Sequence, residues 1–187
     1  MVVCIALNLG IGLIVTAMKA PLYLDSIGTV IATALGGLWI GIVCGIISVI
    51  LGSAYTPTLW AYAGTMVAIA IYVALVRPFG YLSKLLPTAL FGIGLGVVCA
   101  IISAPVTTYV WRGMSLSGAD TLAAFFSAKG VTLLFSVILA GLAADPIDKL
   151  VTSLIAFALV SRVPVAFFGE PASQDPSGSS DQCGIHN

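Results

Sequence analysis

The densest group of ionisable side chains is ADPIDK, residues 144–149, set inside a long apolar stretch. Asp145 and Asp148 stand in an i, i+3 relation, and Asp145 and Lys149 in an i, i+4 relation with the acid first, the favoured order for a helical ion pair. Pro146 donates no backbone hydrogen bond and should free the Leu142 carbonyl. Ionisable groups inside a membrane segment cost about 2.5–3.5 kcal/mol each on insertion scales and are functional by default. One reading is that the three charges sit in one long kinked helix and line a pocket. There Asp148 and Lys149, with Asp145, would hydrogen-bond the polar atoms of a small ligand. A second reading places them in an aqueous loop between two spans. A third uses Asp145 and Asp148 as an acid–base carboxylate pair. Lys149 offers Asp145 a simple neutralising partner, which weighs against that catalytic use.

Other candidates lie in loops. Asp25 and Tyr23 belong to PLYLD, residues 21–25, ahead of an apolar segment. Asp25 or Ser26 is placed to cap the next helix, or Asp25 contacts a ligand or acts as a gate. Tyr55 and Trp111 are expected as aromatic walls, because an apolar pocket with a few fixed polar groups is the usual design. Trp60 and Tyr62 fit either an interfacial aromatic belt or a stacking surface. The cysteines are Cys4, Cys44, Cys99 and Cys183, without a CxxC or a Cys/His cluster, and read as small packing residues. His186 is the single histidine and lies near the end of the chain. Neither a metal, a cofactor nor histidine catalysis is expected.

The elements that must position these residues follow from composition. Of 187 residues 60% are hydrophobic and 7% charged, with net charge zero, so lipid rather than a protein core is expected to cover much of the apolar surface. The apolar runs are long and do not alternate, which predicts helices rather than a barrel. No basic cluster points to nucleic acid. The expected architecture is all-α: an integral membrane bundle of about six transmembrane helices over residues 1–164, then a polar disordered tail over 165–187. A short amphipathic segment, 119–129, is expected before the last helix, with Leu122, Phe125 and Phe126 on one face and Asp120 and Ser127 opposite. It could instead open a seventh span running to Ala143.

The first span is 2–18; MVVCIALNLG lacks a positive leader region and does not read as a cleaved signal. Ala6 and Gly10 share a spacing that allows close helix approach, as do Asn8 and Gly12. They serve packing within this chain or docking of another membrane subunit. Segments 26–35 and 38–51 are shorter than the about 20 residues needed to cross a bilayer. They are broken at Gly36–Gly37, and half-length helices beside a polar loop point to a cavity. The Gly37, Gly41, Gly45 stripe is a packing surface. Segments 58–76 and 85–109 are full-length helices. Gly92, Gly94 and Gly96 in the latter are not a nucleotide fingerprint, since no strand precedes them, and read instead as a close-packing face.

The order PLYLDSIGT (21–29), the Gly-Gly break with Trp39 and Gly41, GMSLSGAD (113–120) and DPIDKLVTSLIAFALVSRVP (145–164) resembles the substrate-binding S components of energy-coupling factor vitamin transporters. The likeness runs in scattered blocks over residues 2–164. It implies about six helices with both termini cytoplasmic, in a bacterial cell membrane. It implies an outward pocket built from the first, third and fifth loops and the outer ends of the last three helices. The implied function is capture of a vitamin or related small molecule, delivered to a transmembrane coupling subunit powered by a pair of ATPases. The chain has no GxxxxGK[ST], in keeping with ATP hydrolysis by partners rather than by this chain. Members commonly dock through an AxxxA pattern on the first helix, for which Ala6–Gly10 is the nearest match. Orientation cannot be read from charge: Arg77, Lys84 and Arg162 balance Lys19, Arg112 and Lys129. A membrane sensor without an ATPase is the alternative function.

Overall fold

The structure, a computed structural model, describes residues 1–18, 22–82, 84–115 and 119–162. Lys19, Pro21, Cys183, His186 and the expected polar tail lie outside the described residues. Among these residues every regular element is a helix: α1 (Val2–Ala17), α2 (Ile27–Gly36), α3 (Leu38–Gly52), α4 (Ala63–Val76), α5 (Leu85–Pro105), α6 (Ala119–Ala128) and α7 (Leu133–Val160). A 3₁₀ turn, Leu59–Tyr62, leads into α4, and a second, Arg77–Phe79, leaves it. Beyond Pro105, α5 continues as a π turn, Val106–Val110.

Two stretches are long and apolar enough to cross a bilayer, Leu59–Phe79 and Leu85–Val110. The helix α7 has 28 residues and Pro146 inside it, a length of about 42 Å at the usual helical rise. Its middle carries Asp145, Asp148 and Lys149, which sets its composition apart from the two apolar stretches. The residues 144–149 are therefore helical, and the aqueous-loop reading is corrected. So is the reading of 119–143 as one span: α6 ends at Ala128, and Gly130, at φ +89°, turns the chain before α7.

The helix α2 occupies the centre. Every residue from Ile27 to Thr33 is buried, and α1, α3, α4 and α7 pack around it. A 10-residue helix is about 15 Å long, so its polar ends need protein partners. Its C-terminal end is set by Gly37, whose φ of +89° is open to glycine and strained for other residues. The shared core holds Ile27, Val30, Val49, Met66, Ile69, Val73, Phe91 and Leu95. Many large apolar side chains instead face outward, among them Val3, Trp39, Leu75, Leu90, Ile101 and Phe135.

The most extensive helix pair is α5 with α7. Its closeness depends on Gly92 and Gly96: a Cβ on Gly96 would fall on the backbone of Pro146, and one on Gly92 would come within 2.8 Å of the Leu150 Cα. The expected close-packing role of these glycines holds, with Gly94 lying instead beneath the Tyr72 hydroxyl. On α3, Gly41 faces Thr33, and Gly45 faces Met66 and Thr29. On α6, Ala119 and Ala123 form the buried side, while Leu122 and Phe125 are exposed.

Gly28 marks the crossing of α1 and α2, where a Cβ would fall on the Cys4 carbonyl oxygen. Gly28→Ala should therefore cost about 1–3 kcal/mol by forcing two backbones apart. Gly10 has nothing within 4 Å of its Cβ position, so Gly10→Ala should lose no stability and gain up to about 1 kcal/mol of helix propensity. Thermal unfolding of the two purified variants checks the contrast; equal behaviour would show that the α1–α2 contact is looser than described.

Candidate functional site

The polar interior begins with Asn8, an amide on an otherwise apolar helix. Its Nδ2 donates to Thr29 Oγ1 and to Ser48 Oγ, each at 3.0 Å, and its Oδ1 accepts the Gly28 N–H at 2.6 Å. One buried side chain thus fastens α1 to α2 and α3. Asn8 and Gly12 are the inner face of α1, whereas Ala6 and Gly10 are exposed.

Next to this junction, at the start of α2, lies the ion cluster. Asp148 is fully buried. Its Oδ1 accepts the backbone N–H groups of Tyr23 and Leu24, both at 2.8 Å, and its Oδ2 accepts Lys149 Nζ at 2.5 Å. Lys149 Nζ also donates to Ser26 Oγ at 2.9 Å and stands 3.9 Å from Asp25 Oδ1. An ammonium has three N–H donors, and these three oxygens surround it. Charge-assisted bonds of this kind are about twice as strong as neutral ones. They hold Leu24 at φ +45°, the left-handed region that side-chain-bearing residues rarely adopt. The cluster therefore ties the loop before α2 to the middle of α7.

Sequence reasoning expected Lys149 to pair with Asp145. Among the described residues that pair is not formed within 4 Å; Lys149 pairs with its neighbour Asp148 and with Asp25 across the fold. Nor does Asp25 cap α2. Ser26 occupies the N-cap position, makes no side-chain cap bond, and gives its oxygen to Lys149. Tyr23 enters the cluster through its backbone. Burial pushes the Asp25 carboxyl above the ordinary carboxylate range; Lys149 pulls it down, and Asp148 pushes it further up.

Tyr55 donates weakly to the Leu9 carbonyl at 3.4 Å. With Asn8, Asp25, Ser48, Leu59 and Met66 it lines a cavity of about 10 Å³, room for a single water. Trp111 belongs to a different group, at the end of the π turn. It meets Trp60 edge-on with ring centroids 6.2 Å apart. Close by, the Tyr62 hydroxyl bonds Thr107 Oγ1 at 2.8 Å, and Thr58 Oγ1 donates to the Ser115 carbonyl at 3.2 Å. Ser115 in turn donates through N–H and Oγ to Asp120 Oδ1, at 3.1 and 2.6 Å. Asp145 lies within electrostatic reach of Tyr62.

The structure thus brings Asp148, Lys149, Asp25 and the Tyr23 backbone together, sets Tyr55 beside them, and places Trp111 with Trp60 near the π turn. Sequence reasoning missed the ligating role of Asn8 and of Ser26. The one signal for Asn8 was an amide in an apolar helix; nothing local marked Ser26. No ring of metal-ligating side chains occurs among the described residues. Comparison with protein-family models, curated proteins and solved structures gives no match.

Removing one member of a buried ion pair costs about 3–5 kcal/mol, more than replacing both. Lys149→Met should therefore destabilise by that amount, and adding Asp148→Asn should recover part of it, since the amide oxygen still accepts the Tyr23 and Leu24 N–H groups. Thermal unfolding of the single and double variants decides it; a double variant no better than Lys149→Met would contradict the pairing. For Asp25, a raised folded pKa means that the native state holds the proton more tightly than the unfolded chain. Its stability contribution is full below the unfolded carboxylate range and declines as pH rises through the folded pKa. Asp25→Asn should thus gain in Tm relative to the parent as pH rises above the ordinary carboxylate range, about pH 4. A gap that closes with rising pH would reverse that sign.

Proposed function

We propose that this chain is the substrate-binding subunit of an uptake transporter of the energy-coupling factor type, embedded in a bacterial cell membrane. In this reading α1, α2, α3, α4, α5 and α7 are the six membrane helices of the S-component fold, and α6 lies at the interface. The observation that carries it is the buried Asp148–Lys149 pair. It ties the first loop to the middle of a long helix, inside a chain whose outer surface carries many large apolar side chains. Charges at membrane depth are expensive and persist around substrate paths. The 10-residue helix α2 is surrounded by protein, which suits a half-length helix beside a binding chamber.

In this reading a binding chamber lies under the loops that carry Asp25, Tyr55 and Trp111. Asp148, Lys149 and Tyr23 hold its wall and take part in ligand contact through the first loop. The ligand is a vitamin or a related small molecule, and the chain itself performs no catalysis. The exposed Ala6–Gly10 face of α1, flanked by Leu13 and Ile14, is where a transmembrane coupling subunit docks, with a pair of ATPases supplying the energy.

Purification of the tagged chain from its own membranes tests this reading. A membrane subunit and ATPases should co-purify. A panel of vitamins should include one that stabilises the chain; a one-site ligand at about 100 times its Kd adds roughly 2.7 kcal/mol. No ATPase partner and no stabilising vitamin would remove the transport assignment.

A further inference from the structure

The carboxylate of Asp145 is not used by the ion cluster. It is 6% exposed, on the turn of α7 that Pro146 interrupts. Lys149 Nζ hydrogen-bonds Asp148 and Ser26 and stands 3.9 Å from Asp25, so its charge is already shared by two other carboxylates. Among the described residues Asp145 makes no ion pair and no hydrogen bond. Pro146 withholds an N–H from the Leu142 carbonyl one turn earlier, adding acceptor character to the same stretch. A buried carboxylate without a partner is costly and asks for an explanation.

The explanation lies in what surrounds it. The π turn packs against α7 and against the 3₁₀ turn before α4, and Tyr62 on that turn lies within electrostatic reach of Asp145. Polar side-chain atoms buried without partners recur on these elements: Thr108 Oγ1 and Trp111 Nε1 at the π turn, Thr56 Oγ1 and Thr65 Oγ1 either side of the 3₁₀ turn. The same elements bring the rings of Trp60, Tyr62 and Trp111. An acceptor carrying charge, several hydroxyls and flat aromatic faces match one kind of ligand.

We propose that Asp145, with Tyr62, Thr108 and Trp111, forms a recognition site for a small planar molecule carrying a cationic nitrogen group, such as a protonated amine or amidine on an aromatic ring. The cation pairs with Asp145 through a charge-assisted hydrogen bond. The ring lies against the aromatic side chains, which also favour a cation, and the Trp111 N–H and Thr108 hydroxyl meet ring acceptors. This deepens the transport reading by giving the substrate a charge, and rests on it for the direction of delivery.

Three isosteric probes test it on the purified full chain: benzamidine, a planar cation; benzamide, its neutral counterpart; and benzoate, its anion. Calorimetry or ligand-observed magnetic resonance should show benzamidine binding about tenfold or more tightly than benzamide, a difference of about 1.4 kcal/mol, with benzoate not bound. Asp145→Asn keeps the side-chain shape and should erase the preference for the cation. Lys84→Gln, at an exposed residue at the other end of α5, should leave it intact. Failure of benzamidine to bind at millimolar concentration, benzamide or benzoate binding as well as benzamidine, or an unchanged preference in Asp145→Asn would each overturn the proposal. The two readings fail separately. A cation preference without ATPase partners sinks transport alone; partners without a cation preference sink the cationic substrate alone.

Discussion

The side chain of Asp148 is the constraint on which the rest of the arrangement depends. One oxygen takes two successive backbone N–H groups from the loop before α2, and the other takes the ammonium of Lys149. A carboxylate so buried persists only when its lone pairs are met and its charge is balanced. Meeting them bends the loop into a conformation that Leu24 would not adopt alone, and it brings Ser26 and Asp25 around Lys149. The start of α2 is thereby positioned. Because α2 is buried on every side, α1, α3 and α4 are positioned in turn.

A second consequence concerns the allocation of charge. Lys149 sits in sequence beside two acids at helical spacing, and the textual pattern favours the i, i+4 partner. The fold gives it the adjacent acid and one from a distant loop instead. The acid left over is Asp145, on the turn where Pro146 and Gly96 bring α7 and α5 into backbone contact. The structural pair and the unpaired carboxylate are thus separate devices carried by one six-residue stretch. The first holds the loop in place, and the second is the group around which a ligand reading can be built.

The helices differ in what stabilises them. The α5–α7 pair relies on glycines that let backbones meet, so its contact is dispersion at short range. The junction of α1, α2 and α3 relies instead on the Asn8 amide. Hydrogen bonds of a buried amide are directional and set the relative rotation of three helices, which smooth apolar faces leave loose. In the membrane setting proposed above, where lipid is as apolar as the helix surface, such directional contacts carry more of the specificity.

How much could be read without the fold follows from the range of each interaction. Helix content, the glycine break at residue 37, the close-packing glycines of α5 and the oddity of ADPIDK in an apolar run are local. They follow from hydropathy, from the backbone freedom of glycine and from the cost of burying charge, so the amino-acid order alone determined them. The partners of Lys149, the use of Ser26 as its acceptor, the role of Asn8 and the exposure of Leu122 and Phe125 on α6 were decided only by tertiary structure. Each depends on which of several equally polar or apolar groups is brought within about 3–4 Å by segments far apart in the chain, where hydrogen bonds and packing act. Spacing along one helix carries no information about a loop that meets it from more than a hundred residues away.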